Sequence, residues 1–262
     1  MAQTPYAGLM TTSGIVWDGL SAEELARRCA APQVTVLDET DSTLDVAHEL
    51  AEHGAPPGTV VLADAQRAGR GRQGRPWSSQ PGRGVWLTVL QRPGDPRSLD
   101  VLSLRVGLCC AQALDGVAGE RVGVKWPNDL MLRSGKLGGI LTEASWSGSS
   151  LGWVAIGVGI NVAAPPDVAT ATGLRPGVAR VDVLSAVVGA IRTASARTGV
   201  LSLDEMMQFA ERDVLAGRRI ASPTVGTVVG IDAAGGLVVD TPRGSETLRA
   251  GSVRLADEAI PA

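Results

Sequence analysis

The segment from Gly69 to Arg75 contains the residue types and spacing that point most directly to chemistry. Between Arg67 and Arg75 stand four arginines and no acidic residue, although the whole chain has a formal net charge of −3. Its glycines allow the backbone to turn tightly and to come close to a ligand. Backbone N–H groups and guanidinium forks together bind anions. We therefore predict a loop that binds a carboxylate, a phosphate or both.

Two other interpretations of this segment remain open. A stretch rich in glycine and arginine can be a flexible, solvated turn between two strands. It can also contact RNA, but such contacts usually come from low-complexity tracts. This segment is single and lies between two predicted strands, so RNA binding is the weaker alternative.

A second cluster consists of Lys125-Trp-Pro-Asn-Asp129 and the following Lys136-Leu-Gly-Gly-Ile140. The Trp–Pro pair disfavours helix at Trp126, and the Asn–Asp pair after it suits a turn between strands. Lys136 lies in a stretch of strand character, where a lysine is ordinarily a solvated edge residue. A mobile ammonium combined with an arginine loop is nevertheless a common arrangement for phosphate chemistry.

Other reactive groups are scarce in this sequence. The two histidines, His48 and His53, share one predicted helix without an evident nucleophile, and the chain has neither a Walker A nor a Gly-x-Ser-x-Gly sequence. If the protein is an enzyme, we expect a substrate to supply the attacking group. The protein would then act by positioning the reactants and neutralising their charge.

The composition is that of a globular protein. Its 262 residues, 44% of them hydrophobic, suffice for one large domain with or without a small one. The small net charge argues against a general electrostatic affinity for nucleic acid or anionic lipid. We expect no membrane segment, because no apolar run approaches the roughly 18 residues that a span needs. No secretion signal is recognisable at the N-terminus.

Three cysteines are present, Cys29, Cys109 and Cys110. Adjacent cysteines on one helix rarely pair with each other, and no Cys-x-x-Cys spacing suggests a metal site. We predict that all three are small buried apolar residues of a protein in the reducing cytoplasm.

The elements that must position these residues follow from apolar periodicity and capping signals. Helices are predicted at residues 21–30, 42–53, 98–117, 181–197 and 202–215, the first and last opened by the capping boxes Ser21-Ala-Glu-Glu24 and Ser202-Leu-Asp-Glu205. Strands are predicted at residues 34–37, 59–63, 85–90, 122–126, 130–132, 136–143 and 153–162. Hairpins and helices thus alternate, which predicts an α/β (α+β) fold with a mixed sheet.

The pattern changes after Leu215. Residues 217–255 hold short apolar strands broken by glycines, which predicts a small β-barrel or sandwich of about five strands. We therefore divide the chain into a tail at 1–20, a catalytic domain at 21–214 and a small domain at 215–262.

Several motifs together resemble those of biotin–protein ligases. They are Asp41-Ser-Thr43, Gln66-Arg-Ala-Gly-Arg-Gly-Arg-Gln-Gly-Arg75, Trp77, Lys125-Trp-Pro-Asn-Asp-Leu130, Lys136-Leu-Gly-Gly-Ile-Leu141 and Gly157-Val-Gly-Ile-Asn161. The order matches that family over about residues 38–162. Lipoate ligases lack the arginine loop, so the resemblance is to more than a shared fold.

The resemblance implies an architecture and a reaction. The catalytic domain is expected to be similar to the core of class II aminoacyl-tRNA synthetases, and the small domain to an SH3-like barrel. Biotin's carboxylate attacks the α-phosphorus of ATP, with Mg²⁺ expected, and pyrophosphate leaves. A lysine of a biotin carboxyl carrier domain of an acyl-CoA carboxylase then takes the biotinyl group.

The resemblance also implies residue roles. The biotin-binding residues are expected to be Ser42, Thr43, Gln66, Arg70, Gly71, Arg72, Lys136, Gly138 and Gly139. ATP or the adenylate is expected to contact Arg72, Arg75, Trp77, Asn128, Asp129, Lys136 and Asn161. Arg72 and Lys136 would bridge the biotin carboxylate and the α-phosphate as the catalytic pair, and Asp129 is a possible Mg²⁺ contact.

One position departs from the family pattern. Leu44 stands where an Asn usually follows the Ser–Thr pair, which implies weaker biotin binding at worst. Three alternatives stay open: a lipoate or octanoate ligase of the same fold, a DNA-binding biotin sensor, and an inactive binding module.

We predict no sequence-specific DNA binding. About 20 residues precede the first predicted helix, which is too few for a winged helix, and the net charge is acidic. A gel shift at physiological salt measures this, and a nanomolar operator complex would overturn the prediction.

Overall fold

The computed structural model describes residues 15–257. Its centre is a seven-stranded sheet in the order β3-β4-β5-β9-β8-β7-β6. The strands are β3 (Val34–Thr40), β4 (Val60–Gln66), β5 (Gly84–Gln91), β6 (Gly123–Lys125), β7 (Asp129–Leu132), β8 (Gly135–Ser147) and β9 (Ser150–Asn161). The pair β3–β4 is parallel and the other pairs are antiparallel. The predicted mixed sheet is therefore confirmed.

Helices cover both faces of this sheet. They are α1 (Ala22–Cys29), α2 (Thr43–Glu52), α3 (Leu99–Ala118), α4 (Arg180–Ser195) and α5 (Leu203–Ala210). Side chains alternate along a strand, so Val61 packs with Leu44 and Leu50 of α2 on one face. Its neighbours Val60 and Leu62 belong to the larger core with α3 and α4 on the other.

The predicted capping boxes form at α1 and α5. Ser21 Oγ accepts a hydrogen bond from Glu24 N, and Ser202 Oγ accepts one from Glu205 N, with both glutamates reaching back to the cap. Helix α5 nevertheless ends at Ala210, five residues before the predicted end at Leu215.

The chain leaves α5 early because the next segment pairs with β6. Val124 N donates to Arg212 O over 2.8 Å, and Val214 N donates to Val124 O over 3.1 Å. Arg212 also forms an ion pair with Asp115 of α3. A tertiary strand-like contact thus replaces the last helical turn, which local sequence periodicity does not show.

Part of the predicted tail at 1–20 is structured. Residues 1–14 lie outside the described residues, but β1 (Val16–Trp17) and β2 (Leu20–Ser21) form an antiparallel pair. Trp17 is only 2% exposed, and the Arg180 guanidinium stacks on its ring at 4.3 Å. A large buried aromatic therefore anchors a segment whose composition resembles that of a tail.

One described helical stretch, Pro96–Ala118, meets the length and composition of a membrane span, contrary to the expectation that none would. Within its apolar window, 67% of the residues are buried inside the protein. Its side chains join the core formed with α4 and the sheet, so packing inside the fold accounts for its apolar character. Cys109 and Cys110 belong to this helix and, like Cys29, are buried free thiols as predicted.

The C-terminal residues form a separate five-stranded antiparallel sheet, in the order β13-β12-β11-β10-β14. Its strands are β10 (Arg219–Ser222), β11 (Gly226–Ile231), β12 (Leu237–Thr241), β13 (Gly244–Leu248) and β14 (Arg254–Leu255). The apolar core runs on from the large sheet to Ile220, Leu237 and Val239, and Trp126 Nε1 donates to Gly235 O over 2.9 Å. The division at 214/215 stays a prediction.

Asp213 lies at the junction between the two sheets. We expect its buried carboxyl to make the stability of the protein depend on pH. Its Oδ1 accepts from Leu215 N, while Oδ2 is shielded from solvent and has no hydrogen-bond partner within residues 15–257. Burial raises the pKa of Asp213 to about 6. The native state thus holds this proton more tightly than the unfolded chain, whose Asp pKa is about 3.9. Stability is therefore lost as pH rises through this interval.

We expect Asp213→Asn to stabilise the protein at neutral pH by up to about 3 kcal/mol, because a shift of one pKa unit corresponds to about 1.4 kcal/mol. Urea unfolding of parent and variant at pH about 4 and about 8 measures the effect. Equal differences at the two pH values would contradict the assigned role of this carboxyl.

Candidate active site

A cavity of about 380 Å³ opens over β8 and β9, between the arginine loop and the C-terminal sheet. Nearly all the predicted site residues line it, namely Ser42, Thr43, Gln66, Arg70, Gly71, Arg72, Arg75, Trp77, Asn128, Asp129, Lys136, Gly139 and Asn161. Gly138 does not line it. A Cβ there would stand 2.6 Å from Gly159 O, so the close pairing of β8 with β9 requires glycine at this position.

One end of the cavity is a network of hydroxyl and amide groups. Ser42 caps α2 and accepts a hydrogen bond from Leu44 N, which places the following Thr43 at the start of the helix. Thr43 N and Oγ1 both donate to Gln66 Oε1, at 2.9 and 3.2 Å, and Gln66 Nε2 donates to Ser79 Oγ at 2.8 Å. The Gln66 amide is therefore held at the end of β4, and its second N–H is available to a ligand.

The arginine loop is closed by its own backbone. Trp77 N donates to Gly69 O over 2.8 Å, and Gly71 N donates to Arg75 O over 2.7 Å. A Cβ at Gly69 would lie 2.6 Å from Trp77 O, so only glycine fits this crossing. Gln73 adopts a left-handed φ of 58° at the tip.

Acids elsewhere in the fold neutralise half of the loop's positive charge. Arg67 pairs with Glu39 and Asp41, and Arg70 pairs with Asp45 and Glu143. These acids lie on or beside β3, α2 and β8. Counting the charges between residues 67 and 75 alone therefore did not reveal them.

The cations that remain are Arg72 and Arg75. Within residues 15–257, neither has a carboxylate partner within 4 Å. Arg72 Nη1 instead donates to Asn128 Oδ1 and Gly251 O, each over 3.4 Å. Burial lowers the pKa of the Arg72 guanidinium, and the positive charge of Arg75 acts in the same direction, whereas Asp129 opposes it. A half-buried cation with no paired charge is ready to bind an anion.

Lys136 lies across the cavity, on β8. Its Nζ is 2.6 Å from Asp129 Oδ1 and 5.2 Å from the centre of the Trp77 ring. Neither Lys136 nor Asp129 is fully buried, so an incoming anion can compete with the carboxylate for this ammonium. The predicted mobile cation is thus paired with Asp129.

Trp77 rests on a floor made by two cross-strand glycines. Gly139 of β8 and Gly159 of β9 pair in register, and a Cβ at Gly159 would lie 2.6 Å from Trp77 Nε1. The Trp77 Nε1 is buried without a hydrogen-bond partner in the described part of the chain. The indole thus forms a flat apolar wall of the cavity.

The two asparagines hold backbone as well as lining the cavity. Asn128 Nδ2 donates to Ile140 O over 2.8 Å, which ties the β6–β7 turn to β8. Asn161 Nδ2 donates to Lys136 O over 3.3 Å, and Asn161 is almost completely buried. Both amides therefore fix the strand that carries Lys136.

Sequence reasoning missed several cavity residues. The apolar ones include Leu87, Ile140, Leu141 and Val158, and further contributions come from the 165–171 segment and from Ser252 and Val253. Leu44 lies 3.3 Å from the position of a Cβ on Gly157. The period-two apolar pattern of the strands could have indicated the apolar wall, but no sequence signal marks the 165–171 segment.

The segment around the C-terminal sheet completes the cavity, because Ser252 and Val253 line it and Gly251 O accepts from Arg72. We expect deletion of residues 217–262 to slow both steps that the motif resemblance implies, adenylation and transfer, since it removes one wall and exposes the shared core at Trp126. Rates of both steps, measured beside a thermal melt, test this. A truncated protein with unchanged rates would contradict it.

Part of the chain that forms this cavity is similar to a known family. Residues 36–161 match the model of the biotin/lipoate A/B protein ligase family. The bifunctional ligase/repressor BirA of Bacillus subtilis is 43% identical over 131 residues, which are 50% of this chain and 40% of the relative. The biotin--[acetyl-CoA-carboxylase] ligase of Paracoccus denitrificans is 41% identical over 134 residues, 50% of this chain and 55% of the relative. The chain thus spans about half the length of these relatives.

Solved structures extend the similarity over most of the fold. The biotin protein ligase from Aquifex aeolicus in complex with biotin and ATP superposes with a TM-score of 0.70 at 27% identity, covering 86% of this chain and 98% of that one. The biotin protein ligase from Leishmania major in complex with biotinyl-5-AMP gives a TM-score of 0.58 at 25% identity, covering 84% and 99%.

Proposed function

We propose that this chain, whose residues 36–161 belong to the biotin/lipoate A/B protein ligase family, is an ATP-dependent biotin–protein ligase. The observation that carries the proposal is one cavity in which Lys136 and two arginines, Arg72 and Arg75, adjoin a hydroxyl–amide network. Neither arginine has an acidic partner within 4 Å among the described residues. The hydroxyl–amide network suits the polar head group of a carboxylic acid. The cations suit the carboxylate of that acid and the polyphosphate of a nucleotide.

The hydroxyl–amide end would hold the ureido ring of biotin. A buried ureido group has one carbonyl and two N–H groups, and each left unpaired costs about 1–3 kcal/mol. Ser42 Oγ, Thr43 Oγ1 and the free N–H of Gln66 are the groups that can meet them. The apolar wall around Leu44 and Leu141 suits the thiophane ring and the aliphatic chain of the ligand.

Arg72 and Lys136 would bring the two anionic reactants together. A carboxylate and a triphosphate repel each other, so their approach requires cations that are already in place. The carboxylate oxygen of biotin forms a bond to the α-phosphorus of ATP, and the bond from that phosphorus to the bridging oxygen breaks as pyrophosphate leaves. Asp129 pairs with Lys136, and the phosphate oxygens would compete with that carboxylate for the ammonium.

The adenylate would lie along Trp77 and Arg75. The flat indole offers a stacking surface to the base, and Arg75 offers a charge to the phosphate. The amides of Asn128 and Asn161 would hold the surrounding strand as they do in the free protein. Asp129 is the one carboxylate that lines the cavity within residues 15–257. Because Mg²⁺ typically takes one or two carboxylates together with substrate phosphates, Asp129 fits as its protein contact and the ion would neutralise phosphate charge.

The second substrate would be a lysine of a biotin carboxyl carrier domain of an acyl-CoA carboxylase. Its neutral amine attacks the carbonyl carbon of the mixed anhydride, forming the amide while AMP departs with the electron pair of the broken C–O bond. This assignment rests on what the ligases of Paracoccus denitrificans and Mycobacterium tuberculosis are named for.

Finer features of the fold and the location also belong to this proposal. The mixed sheet with α3 and α4 on one face would correspond to a core similar to class II aminoacyl-tRNA synthetases. The five short antiparallel strands of residues 219–255 would correspond to an SH3-like barrel. A cytoplasmic location is supported by three cysteines that remain free thiols. The absence of DNA binding stays a prediction.

One assay tests the function. Purified protein is incubated with ATP, Mg²⁺, biotin and a carrier domain, and the carrier is analysed by mass spectrometry. We expect the mass increase of one biotinyl group on one lysine. Parallel pyrophosphate exchange with biotin, lipoate or octanoate identifies the acid, and exchange that depends on lipoate or octanoate alone would replace the biotin assignment.

A further inference from the structure

A second cavity, of about 180 Å³, adjoins the active site. Arg72, Trp126 and Ile140 contribute to the walls of both cavities. Its remaining walls come from the first turns of α3, from Thr142 of β8, and from Gly235 and Arg249 of the C-terminal sheet. It therefore lies between the junction of the two sheets and the guanidinium that would hold the anhydride.

The lining of this second cavity combines apolar walls with oxygen acceptors. Leu99 and Leu104 supply apolar surface, while Asp100, Ser103 and Thr142 supply oxygens. Ser103 Oγ is shielded from solvent and has no hydrogen-bond partner among the described residues. A polar atom left in this state costs about 1–3 kcal/mol unless a ligand meets it. The cavity therefore suits a short aliphatic chain that ends in a hydrogen-bond donor.

The charges of the second cavity favour an ammonium at its opening and a neutral amine beside Arg72. Arg249 is already paired with Asp232, at 2.9 Å, so it offers little attraction to an anion. Asp100 is solvent-exposed and has no ion-pair partner within 4 Å in the described part of the chain. Its carboxylate attracts an ammonium to the opening and repels phosphate. Arg72 is a cation on the wall shared with the active site, which disfavours a charged amine at that point.

We propose that this second cavity admits the side chain of the acceptor lysine, and this inference rests on the ligase function proposed above. Asp100 receives the ammonium, the aliphatic stem lies along Leu99 and Leu104, and rotation of the Ser103 side chain brings its shielded Oγ to the amine as an acceptor. Near Arg72 the amine gives up one proton to solvent, and the neutral nitrogen attacks the anhydride carbon. The nitrogen–carbon bond forms, the carbon–oxygen bond to phosphate breaks, AMP leaves, and the nitrogen loses its second proton.

The test separates the two half-reactions. Ser103→Leu fills the second cavity, whereas Ser103→Ala removes the hydroxyl and leaves the space open. For Ser103→Leu we expect kcat/KM for the carrier domain to fall about 10-fold or more, while biotin-dependent pyrophosphate exchange stays within about 2-fold of the parent. For Ser103→Ala we expect a smaller loss of transfer. Thermal melts verify that both variants are folded.

A second pair of variants does not depend on filling the cavity. Asp100→Asn should raise KM for the carrier domain severalfold and leave exchange unchanged. Asp204→Asn is its matched control, because Asp204 is also an exposed acid in the first turn of a helix, α5. The control should transfer biotin at the parental rate.

Each outcome decides the proposal. Parental transfer by folded Ser103→Leu and by Asp100→Asn would refute the lysine route. Slower pyrophosphate exchange in Ser103→Leu, with normal transfer from preformed biotinyl adenylate, would assign the second cavity to the leaving pyrophosphate instead. If the parent protein itself shows no biotin-dependent exchange, the ligase function fails, and the lysine route fails with it.

Discussion

Lys136→Ala should lower the adenylation rate about 10²- to 10³-fold, which is the usual effect of removing one preorganised charge-stabilising donor. Adenylation moves negative charge onto the α-phosphate oxygens as the carboxylate of biotin approaches. An ammonium directed at that point stabilises the transition state more than the separated substrates. Biotin-dependent pyrophosphate exchange measures the loss.

The variant should stay folded. Lys136 and Asp129 are partly exposed, and an ion pair in such a setting contributes about 1 kcal/mol or less to stability. Lys136→Arg should restore little activity, because a planar fork does not replace a compact charge in a close site. Near-parental exchange by folded Lys136→Ala would remove this residue from the mechanism.

The ion pair with Asp129 calls for one control. Removing Lys136 leaves the Asp129 carboxylate unpaired, and an unpaired carboxylate could by itself repel ATP. The double variant Lys136→Ala/Asp129→Asn removes that repulsion. If the rate loss comes from the missing ammonium, the double variant should be as slow as Lys136→Ala or slower. Recovery of the rate would assign the loss to Asp129 instead.

Arg72→Gly should release the adenylate about 10- to 100-fold faster, because a hydrogen bond to a charged group contributes about 1.5–3 kcal/mol. The change also removes the contacts of Arg72 with Asn128 and Gly251, which hold the arginine loop to the cavity wall. Escaped adenylate would then biotinylate unrelated lysines nearby. The half-life of enzyme-bound adenylate is the measurement.

Arg67→Gly is the matched control for this variant. Arg67 begins the same loop, but its guanidinium pairs with Glu39 and Asp41 and does not line the cavity. Its loss should leave adenylate retention unchanged. An adenylate half-life in Arg72→Gly equal to that of the parent would show that the proposed contact does not exist.

Local signals predicted much of this structure. The capping boxes at Ser21 and Ser202 mark true helix starts, because the bonds that define them join residues three apart. The motif residues of the arginine loop, the β6–β7 turn and β8 come together around one cavity, as their types suggested. Such features depend on short stretches of chain, and the sequence shows them directly.

The features that the sequence did not predict depend on contacts between segments far apart in the chain. The four arginines of the loop suggested a charge of +4, yet Asp45 and Glu143 neutralise Arg70 from far along the chain. The end of α5 was misplaced because Val124 competes for its last backbone groups. Trp17 lies in a segment whose composition resembles that of a tail, but its large ring packs against the guanidinium of Arg180.

The walls of the active-site cavity range from Ser42 to Val253, and this has a consequence during protein synthesis. A chain leaves the ribosome from its N-terminus at roughly 5–20 residues per second. The arginine loop and Lys136 therefore emerge well before the C-terminal wall that Arg72 contacts through Gly251. A nascent chain that still holds its last β-strands in the exit tunnel lacks that wall. The proposed ligase activity should consequently appear only after Val253 has left the exit tunnel.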